Sequence, residues 1–503
     1  MLGLKEAMDA LIPDWANYLL KLHLFPAQIV FTIIVIVAFG LIAAGRLNKT
    51  IVALGGAVIT LVAGYYFGVV YCWVPIFKWF VSGGLVNTAL LFSFEDVYKE
   101  FISWSTLLII ISIVIITTVA SRSGLFEYII LKVVKFSGGD IRKLFLYLCI
   151  ISFVLTMILG NNPTLIIIST LIFLIDRILD LNPVPHILGI LFVINAASNS
   201  TVIGSFVNLL VSGHYNLDPT RYLSYPNFLL LGLPFGVISA VIALFFLLHY
   251  HKEAFQVPKD KEEFFEIRSR LLSLDEHKLM SDPRLFHRIS ILLIVTILVF
   301  VVAGFFGVPF YVVALIFAVL FLVISGENPE KTLREVNWSL IFFFIGIFIM
   351  VGGLNSTGVL ENLGSNLGKL TATNVPLTAA LVTTLSSTLS GVLYNISVTS
   401  ALLYVTPSLS ASALVNENLV IWSLIYGANI AASLTPIGGL PSLIAVTSLE
   451  KEGHPIPWSR FIKIGAPITL VSVVAGIFLL IGFSHILGWG VDISSLLAIL
   501  YSK

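Results

Sequence analysis

The sequence predicts an all-α polytopic membrane protein made of two inverted-topology repeats, each with a re-entrant hairpin and a discontinuous transmembrane helix. Three observations predict it: a composition of 58% hydrophobic and 11% charged residues, long uncharged stretches, and polar residues that recur at a fixed spacing. Soluble proteins average about a quarter charged residues. The uncharged stretches include 25–45, 144–175, 305–326 and 370–416. Each can cross a bilayer, because roughly 20 apolar residues suffice.

Charge and cysteine content exclude several other classes. A formal net charge of +1 gives no long-range attraction for nucleic acid, and two cysteines, Cys72 and Cys149, are too few for a disulfide framework. The first 24 residues mix acidic and basic side chains and have no small-residue cleavage site, so they do not resemble a removable signal peptide. The expected surroundings are a lipid bilayer, and the expected location is the cytoplasmic (inner) membrane, with multiple passes.

The repeat is defined by scarce residues that return 234 positions later. The matching pairs are Trp104-Ser105 with Trp338-Ser339, Gly124 with Gly358, Glu127 with Glu361, Asn161 with Asn395, Asn195 with Asn429, Thr201 with Thr435, and Ile203-Gly204 with Ile437-Gly438. Since the spacing never drifts over about a hundred positions, the sequence predicts a duplication.

The distribution of basic residues predicts that the two copies are inverted. Cytoplasmic loops are rich in Lys and Arg, and all basic clusters share one side only if the stretch 144–175 enters and leaves on the same face. Its two arms, roughly 14 to 17 residues each, are short of the roughly 20 that a full crossing needs. A re-entrant hairpin is therefore expected. The stretch Trp73–Phe92, interrupted by Lys78, fits either a further span or a hairpin. The side of the membrane on which the N-terminus lies therefore stays open.

These features divide the chain into six segments. Residues 1–100 are expected to form N-terminal scaffold spans, and 101–250 the first repeat, with a span, an interfacial helix, a hairpin and a broken helix. A charged cytoplasmic loop, 251–288, carries eight Lys or Arg and eight Asp or Glu. Further scaffold spans occupy 289–334, the second repeat 335–485, and a C-terminal segment 486–503.

Two kinds of polar interruption predict the site. Asn161-Asn162-Pro163 and its copy at Asn395 lie inside uncharged stretches, where polar groups need partners from protein, water or ligand. They indicate helix N-termini, positive dipole ends, aimed at the bilayer midplane. The stretches 194–208 and 428–442, rich in hydroxyls, amides and glycines, indicate unwound helices. The predicted substrate or ion ligands are Asn161, Asn162, Thr164, Asn195, Ser200, Thr201, Gly204, Asn208, Asn395, Ser397, Thr399, Asn429, Thr435 and Gly438.

The same motifs resemble those of the ion transporter superfamily. The resemblance is carried by Ser121-Arg-Ser-Gly-Leu-Phe-Glu127, the Asn161 and Asn395 breaks, 195–208, Val351-Gly-Gly-Leu-Asn-Ser-Thr-Gly358, and 427–438 continuing to Gly453-His-Pro-Ile456. That superfamily contains arsenite permeases, D-type sodium/proton antiporters, metal citrate carriers and divalent anion/sodium symporters. The resemblance implies a scaffold domain, often dimeric, and a moving transport domain that carries two hairpins and two broken helices.

The core carboxylates of the arsenite and sodium/proton branch are replaced by neutral residues in this chain. The Asp-Asn of that branch's hairpin tips stands here as Gly160-Asn161 and Tyr394-Asn395, and its Gly-Asp-Pro-Pro-Asn as Gly204-Ser-Phe-Val-Asn208. The neutral Ser-Asn-Thr tip of the dicarboxylate branch is closer to Gly160-Asn161-Asn162, although Asn395-Ile-Ser matches it poorly. The branch therefore stays open between these alternatives.

A site without carboxylates favours secondary active transport of a small inorganic or carboxylate anion. Amide, hydroxyl and backbone oxygens can hold sodium, with Asn161 and Asn395 as its expected ligands, whereas proton exchange needs a titrating group. A sodium/proton antiporter and an arsenite-type metalloid exporter remain the alternatives. A membrane-embedded enzyme is disfavoured, because all nine histidines fall near span ends or in loops, where an interfacial place is expected. No catalytic residue and no cofactor other than sodium as a coupling ion is expected.

Overall fold

The computed structural model describes residues 14–72, 92–138, 140–178, 181–215, 218–250, 269, 283–326 and 328–490. All but Phe92 of the predicted stretch Trp73–Phe92, and most of the loop 251–288 and of the segment 486–503, lie outside these residues. Its helices are α1 (Asp14–Ala44), α2 (Lys49–Cys72), α3 (Trp104–Arg122), α4 (Leu125–Phe136), α5 (Ile141–Leu159), α6 (Asn161–Ile178), α7 (Pro183–Ala197), α8 (Phe206–His214), α9 (Leu233–Tyr250), α10 (Pro283–Phe305), α11 (Phe310–Ser325), α12 (Pro329–Glu335), α13 (Trp338–Ser356), α14 (Val359–Thr371), α15 (Val375–Leu393), α16 (Asn395–Ala413), α17 (Glu417–Ile430), α18 (Leu440–Lys451) and α19 (Trp458–Ile486).

The multi-pass membrane class is confirmed by helix length and composition. Among the described residues, nine helical segments are long and apolar enough to cross a membrane. They are Pro26–Ala44, Lys49–Phe67, Trp104–Arg122, Ile141–Leu159, Tyr225–Tyr250, Pro283–Phe305, Trp338–Ser356, Val375–Leu393 and Trp458–Ile486. Large apolar side chains on outer helices stand far out of the protein, such as Ile51 at 69%, Phe245 at 69% and Phe478 at 70% exposed. Such a surface suits lipid tails, not water.

The helix boundaries follow the spacing found in the sequence. Helices α3, α4, α5, α6, α7 and α8 begin 234 residues before α13, α14, α15, α16, α17 and α18, respectively. Left-handed glycines stand before both α4 and α14, namely Gly124 at φ 76° and Gly358 at φ 76°. Caps also correspond, since Asp140 accepts from the backbone of α5 and Asn374 from that of α15. The opposite orientation of the two copies stays a prediction.

The two arms of the first expected hairpin are longer than the sequence suggested. Helix α5 has 19 residues and α6 has 18, because the Asp140 cap starts α5 before the uncharged stretch and α6 continues beyond it. At about 1.5 Å per residue, such arms approach the roughly 30 Å of a hydrocarbon core. The re-entrant geometry of the arms therefore stays a prediction.

Helices α7 and α17 form the centre of the structure. Every residue of α7 is buried, and so is every residue of α17 from Asn418 to Ile430. A helix that is apolar on all sides is stable only when surrounded, and α7 contacts α5, α6, α9 and α17. Because both central helices end in mid-protein, their broken ends lie beside the hairpin tips.

Candidate functional site

The first broken helix unwinds between Ala197 and Phe206. Two short 3₁₀ turns, Ser198–Ser200 and Val202–Gly204, are separated by Thr201, whose backbone is extended. The Asn208 amide group donates to the carbonyls of Ser198 and Thr201, both at 2.7 Å. A side chain thus supplies partners that the missing helical turns would otherwise supply. Gly204 leaves room for this fold, since a Cβ there would lie 2.4 Å from the Ser198 carbonyl oxygen.

The second broken helix repeats this arrangement. Helix α17 ends at Ile430, a 3₁₀ turn covers Ala431–Ser433, and α18 begins at Leu440. The Ser442 hydroxyl, the counterpart of Asn208, donates to the carbonyl of Ala432, the counterpart of Ser198. A Cβ at Gly438 would lie 2.5 Å from the Ala431 carbonyl oxygen. Both breaks therefore depend on a glycine and on one polar side chain.

Each hairpin tip is hydrogen-bonded to the break of its own repeat. The Thr201 hydroxyl donates to the Met157 carbonyl at 2.9 Å, and its counterpart Thr435 donates to the Gly391 carbonyl. The Asn161 amide group donates to Ser198 Oγ at 3.2 Å. At the second tip the backbone N–H of Asn395 donates to the Gly438 carbonyl at 3.2 Å.

A reciprocal network of side chains joins the two repeats. The Asn195 amide donates to Ser433 Oγ at 3.2 Å and Ser442 Oγ at 3.4 Å. Its counterpart Asn429 donates to the side-chain oxygens of Asn199 at 3.3 Å and Asn208 at 2.7 Å. Ser433 and Ser442 are the repeat counterparts of Asn199 and Asn208. Each central asparagine therefore makes the equivalent bonds to the opposite repeat, as in two units related by a two-fold axis.

Most of the predicted ligands belong to one hydrogen-bonded cluster, and the others have different surroundings. Asn161, Asn195, Thr201, Asn208, Asn429 and Thr435 belong to the hydrogen-bonded cluster, with the Gly204 and Gly438 backbones, and Asn395 joins it through its N–H. Thr164 and Thr399 instead bond carbonyls of their own helices, at 2.8 and 2.7 Å. Ser200 lies against Gly236 of α9. Asn162 and Ser397 are buried, and the Asn162 side-chain oxygen and the Ser397 hydroxyl have no hydrogen-bond partner.

The electrostatics of this cluster come from dipoles, since its members are amides, hydroxyls and backbone groups. Helices α6, α8, α16 and α18 begin at the tips and breaks, and the first N–H groups of a helix carry partial positive charge. Acceptors are present as well: the side-chain oxygens of Asn195 and Asn429 are buried and have no hydrogen-bond donor. The arrangement can hold an anion at helix N-termini and a cation at amide oxygens.

Two cavities are lined by counterpart residues of the two repeats. One, of about 510 Å³, is lined by residues that include Leu210, Ser400 and Tyr404. The other, of about 370 Å³, is lined at the corresponding positions by Ile444, Ile166 and Thr170. An ion pair between Arg177 and Glu452, 2.7 Å long, lies at the smaller cavity.

Two further polar contacts were not predicted from the sequence. His186 is buried in the protein: it is 2% exposed, and its Nδ1 lies 3.0 Å from the carboxylate of Asp176, itself 3% exposed. Lys49 reaches the second hairpin tip, with Nζ 3.1 Å from the Tyr394 hydroxyl oxygen. Asp176 and His186 are only ten positions apart in the sequence, so the first contact could have been predicted from their spacing. No local signal points to the second, which joins positions 345 residues apart.

Comparisons with known proteins agree with this architecture. The chain is 26% identical to a 46 kDa membrane protein of Mycobacterium leprae over 88% of its own length and 96% of that protein. It is 25% identical to the arsenical pump membrane protein of Escherichia coli, covering 73% of this chain and 84% of that one. The solved structure of Neisseria gonorrhoeae MtrF, described among a class of antimetabolite efflux pumps, superposes with a TM-score of 0.53 at 10% identity. It covers 85% of this chain and 94% of MtrF, and shows a shared fold.

The family comparison is more direct. The profile of a family described as citrate transporter matches residues 34–427. Together with the arsenical pump relative, this confirms the resemblance to the ion transporter superfamily. The chain belongs to the citrate transporter family and is a membrane transporter, not an enzyme.

Proposed function

We propose that the protein is a secondary active transporter that moves a small inorganic or carboxylate anion across the cytoplasmic membrane, coupled to sodium. The observation that carries the proposal is the cluster of helix N-termini and neutral amides where the two breaks meet. An anion is favoured there because N–H dipoles stabilise negative charge. The family description, citrate transporter, supports a carboxylate among the candidate anions.

Sodium coupling is supported by oxygens that lack donors. The side-chain oxygens of Asn162, Asn195 and Asn429 are buried acceptors without a hydrogen-bond partner. A buried acceptor left unpaired costs about 1–3 kcal/mol, and a bound cation removes that cost. Asn161 is adjacent to Asn162 in the sequence, and Asn395 is the repeat counterpart of Asn161; we retain both as sodium ligands through their amide oxygens.

A sodium/proton antiporter is the second candidate function. It is favoured by the buried contact between Asp176 and His186, since paired ionisable groups inside a membrane protein are typical of proton pathways. An arsenite-type exporter is the third, supported by the arsenical pump relative. The anion proposal places the Asp176–His186 pair in a structural role, which the same experiment tests.

Counterflow in proteoliposomes tests the proposal. Purified protein is reconstituted with citrate, smaller carboxylates, inorganic oxyanions or arsenite inside, and sodium and proton gradients are imposed separately. We expect saturable counterflow of an anion that a sodium gradient accelerates. Robust sodium/proton exchange without any anion would contradict the proposal, and so would flux that neither saturates nor shows counterflow.

Two variants connect the flux to the cluster. Asn161→Ala and Asn395→Ala are expected to weaken the sodium dependence several-fold without creating a pH dependence, because an amide does not titrate between about pH 5 and 8. Asn418→Ala is the matched control. Its amide is also buried in a central helix, but it bonds the Thr220 carbonyl at 3.3 Å, outside the cluster.

A further inference from the structure

Lys49 places an ammonium group at the tip of the second hairpin. Its Nζ lies 3.1 Å from the Tyr394 hydroxyl oxygen, 4.8 Å from the centre of the Tyr394 ring and 5.6 Å from that of Phe343. Both rings are buried, at 5% and 0% exposure, and Lys49 itself is half-buried. The ammonium thus contacts the second hairpin tip at Tyr394, the residue that directly precedes Asn395.

The contacts of Lys49 leave its charge without a counterion. No carboxylate among the described residues comes within 4.0 Å of Nζ. A phenol oxygen can accept one of its three N–H donors, and aromatic faces attract a cation without neutralising it. Two other half-buried cations among the described residues are paired with carboxylates: Arg221 contacts Glu417 and Asp218, and Arg122 contacts Glu335.

Lys49 is the first residue of the candidate span Lys49–Phe67, and a half-buried ammonium there recovers its solvation in one of two ways. It can extend to lipid headgroups and water, as Lys and Arg do near span ends. Arg46, three positions earlier, is exposed in that way. Lys49 points inward to Tyr394 instead, so a headgroup is the less suitable partner. An anion that visits the hairpin tip would supply the missing negative charge.

At the second tip, Tyr394 has a backbone conformation that disfavours any residue with a side chain. Tyr394 has φ 75°, in the left-handed region where a non-glycine residue is strained. Its counterpart is Gly160, which adopts φ 83° without that strain. A tyrosine at this position presents a ring and a hydroxyl to the ammonium, which glycine cannot do.

We propose that Lys49 is an anion-binding residue of the transport site, which holds an oxygen of the transported carboxylate or oxyanion at the second hairpin tip. The proposal rests on the proposed function of anion transport. Tyr394 and Phe343 position the ammonium, and the two donors that Tyr394 leaves free bind the substrate. Lys49 therefore adds the fixed positive charge that the neutral amide cluster lacks.

The first test compares the KM of counterflow in four proteins, using the anion that the wild type exchanges. Lys49→Gln is expected to raise KM at least tenfold, and more for a trivalent than for a monovalent anion, with the Tm of the purified protein little changed. Lys49→Arg keeps the charge and is expected to stay within about fivefold of the wild type. Arg46→Gln is the control.

A second measurement uses the wild type alone and does not depend on a variant folding. Reductive methylation of lysines is followed by mass spectrometry, with citrate and then with any other exchanged anion, in neutral and in anionic lipid. We expect the substrate anion to slow methylation of Lys49 at least threefold while the exposed Lys451 is unaffected.

The outcomes separate this inference from the function on which it rests. If the wild type exchanges an anion but Lys49→Gln behaves as Arg46→Gln does, the assignment of Lys49 is wrong and the function stands. Protection of Lys49 by anionic lipid, with none by the substrate, would identify a headgroup site and overturn the assignment too. If the wild type exchanges no anion, both proposals fall.

Discussion

The two hairpin tips share a positive φ but differ in the residue that adopts it. Gly160 and Tyr394 are counterparts in the repeat, and both end their first arm in a left-handed conformation, at φ 83° and 75°. At the first tip a Cβ would lie 2.8 Å from the Ile203 carbonyl oxygen, so no side chain fits. At the second tip a tyrosine fits and contacts Lys49 and Phe343.

The two copies therefore follow the same chain path but carry different side chains along it. Strain at a left-handed non-glycine residue costs about 1–3 kcal/mol. The second tip retains it beside an interior ammonium, whereas the first tip closes tightly on its own break. The same contrast holds in the reciprocal network, where Asn199 and Asn208 of the first repeat correspond to Ser433 and Ser442 of the second.

The largest effect is expected at the tight first tip. Gly160→Ala combines left-handed strain of about 1–3 kcal/mol with a clash against the Ile203 backbone, which cannot move as a side chain can. Transport should fall more than tenfold, and the Tm of the purified protein should drop. Gly138→Ala is the control, because Gly138 also has a left-handed φ of 64° but no atom within 4 Å of a Cβ. Equal loss in both variants would show that strain alone matters.

An intermediate effect is expected in the reciprocal network. Asn429→Ala leaves the side-chain oxygens of Asn199 and Asn208 without a donor, at a cost of about 1–3 kcal/mol for buried acceptors. Asn195→Ala should cost less, because the Ser433 and Ser442 hydroxyls that it frees can rotate and Ser442 already donates to Ala432. Tm and counterflow rates of both variants check the order. A larger loss for Asn195→Ala would contradict this asymmetry.

The smallest effect on stability is expected at Glu127 and its counterpart Glu361. These residues lie in the first turns of α4 and α14, outside the nine candidate spans among the described residues. Burial raises the pKa of the Glu127 carboxyl, and a hydrogen bond from its own backbone offsets this in part. A pKa that is higher in the folded protein gives a stabilising contribution below the unfolded value, which is lost as pH rises through the folded value.

Glu127→Gln should therefore raise the Tm slightly at pH 8 relative to wild type and leave it unchanged near pH 4. Glu361→Gln is the control, since that side chain is exposed and should show no such difference between the two pH values. The measurement is thermal unfolding in lipid nanodiscs at both pH values. A Tm gain for Glu127→Gln that is equal at pH 4 and pH 8 would exclude titration of this carboxyl as its cause.

Much of the fold was determined by the sequence alone. Composition fixes the lipid solvent, and scarce residues such as Trp104, Asn161 and Asn195 reveal the repeat, because polar or bulky groups recur at one spacing only under a shared structural demand. The positions of both helix breaks also follow from sequence, since clustered amides, hydroxyls and glycines cannot continue an apolar helix. The hairpin arms were underestimated because capping by Asp140 extends α5 beyond the uncharged stretch.

Only the tertiary structure decided which polar groups meet. Asn429 and Asn208 are 221 residues apart, and Lys49 and Tyr394 are 345 apart, so no periodicity or spacing could pair them. Thr164 bonds the carbonyl of Gly160, and Ser200 lies against Gly236, contacts that depend on the packing and not on the sequence pattern. Local patterns determine where a helix breaks, because that depends on neighbours in the chain. Which side chains face a shared space depends on how distant helices pack.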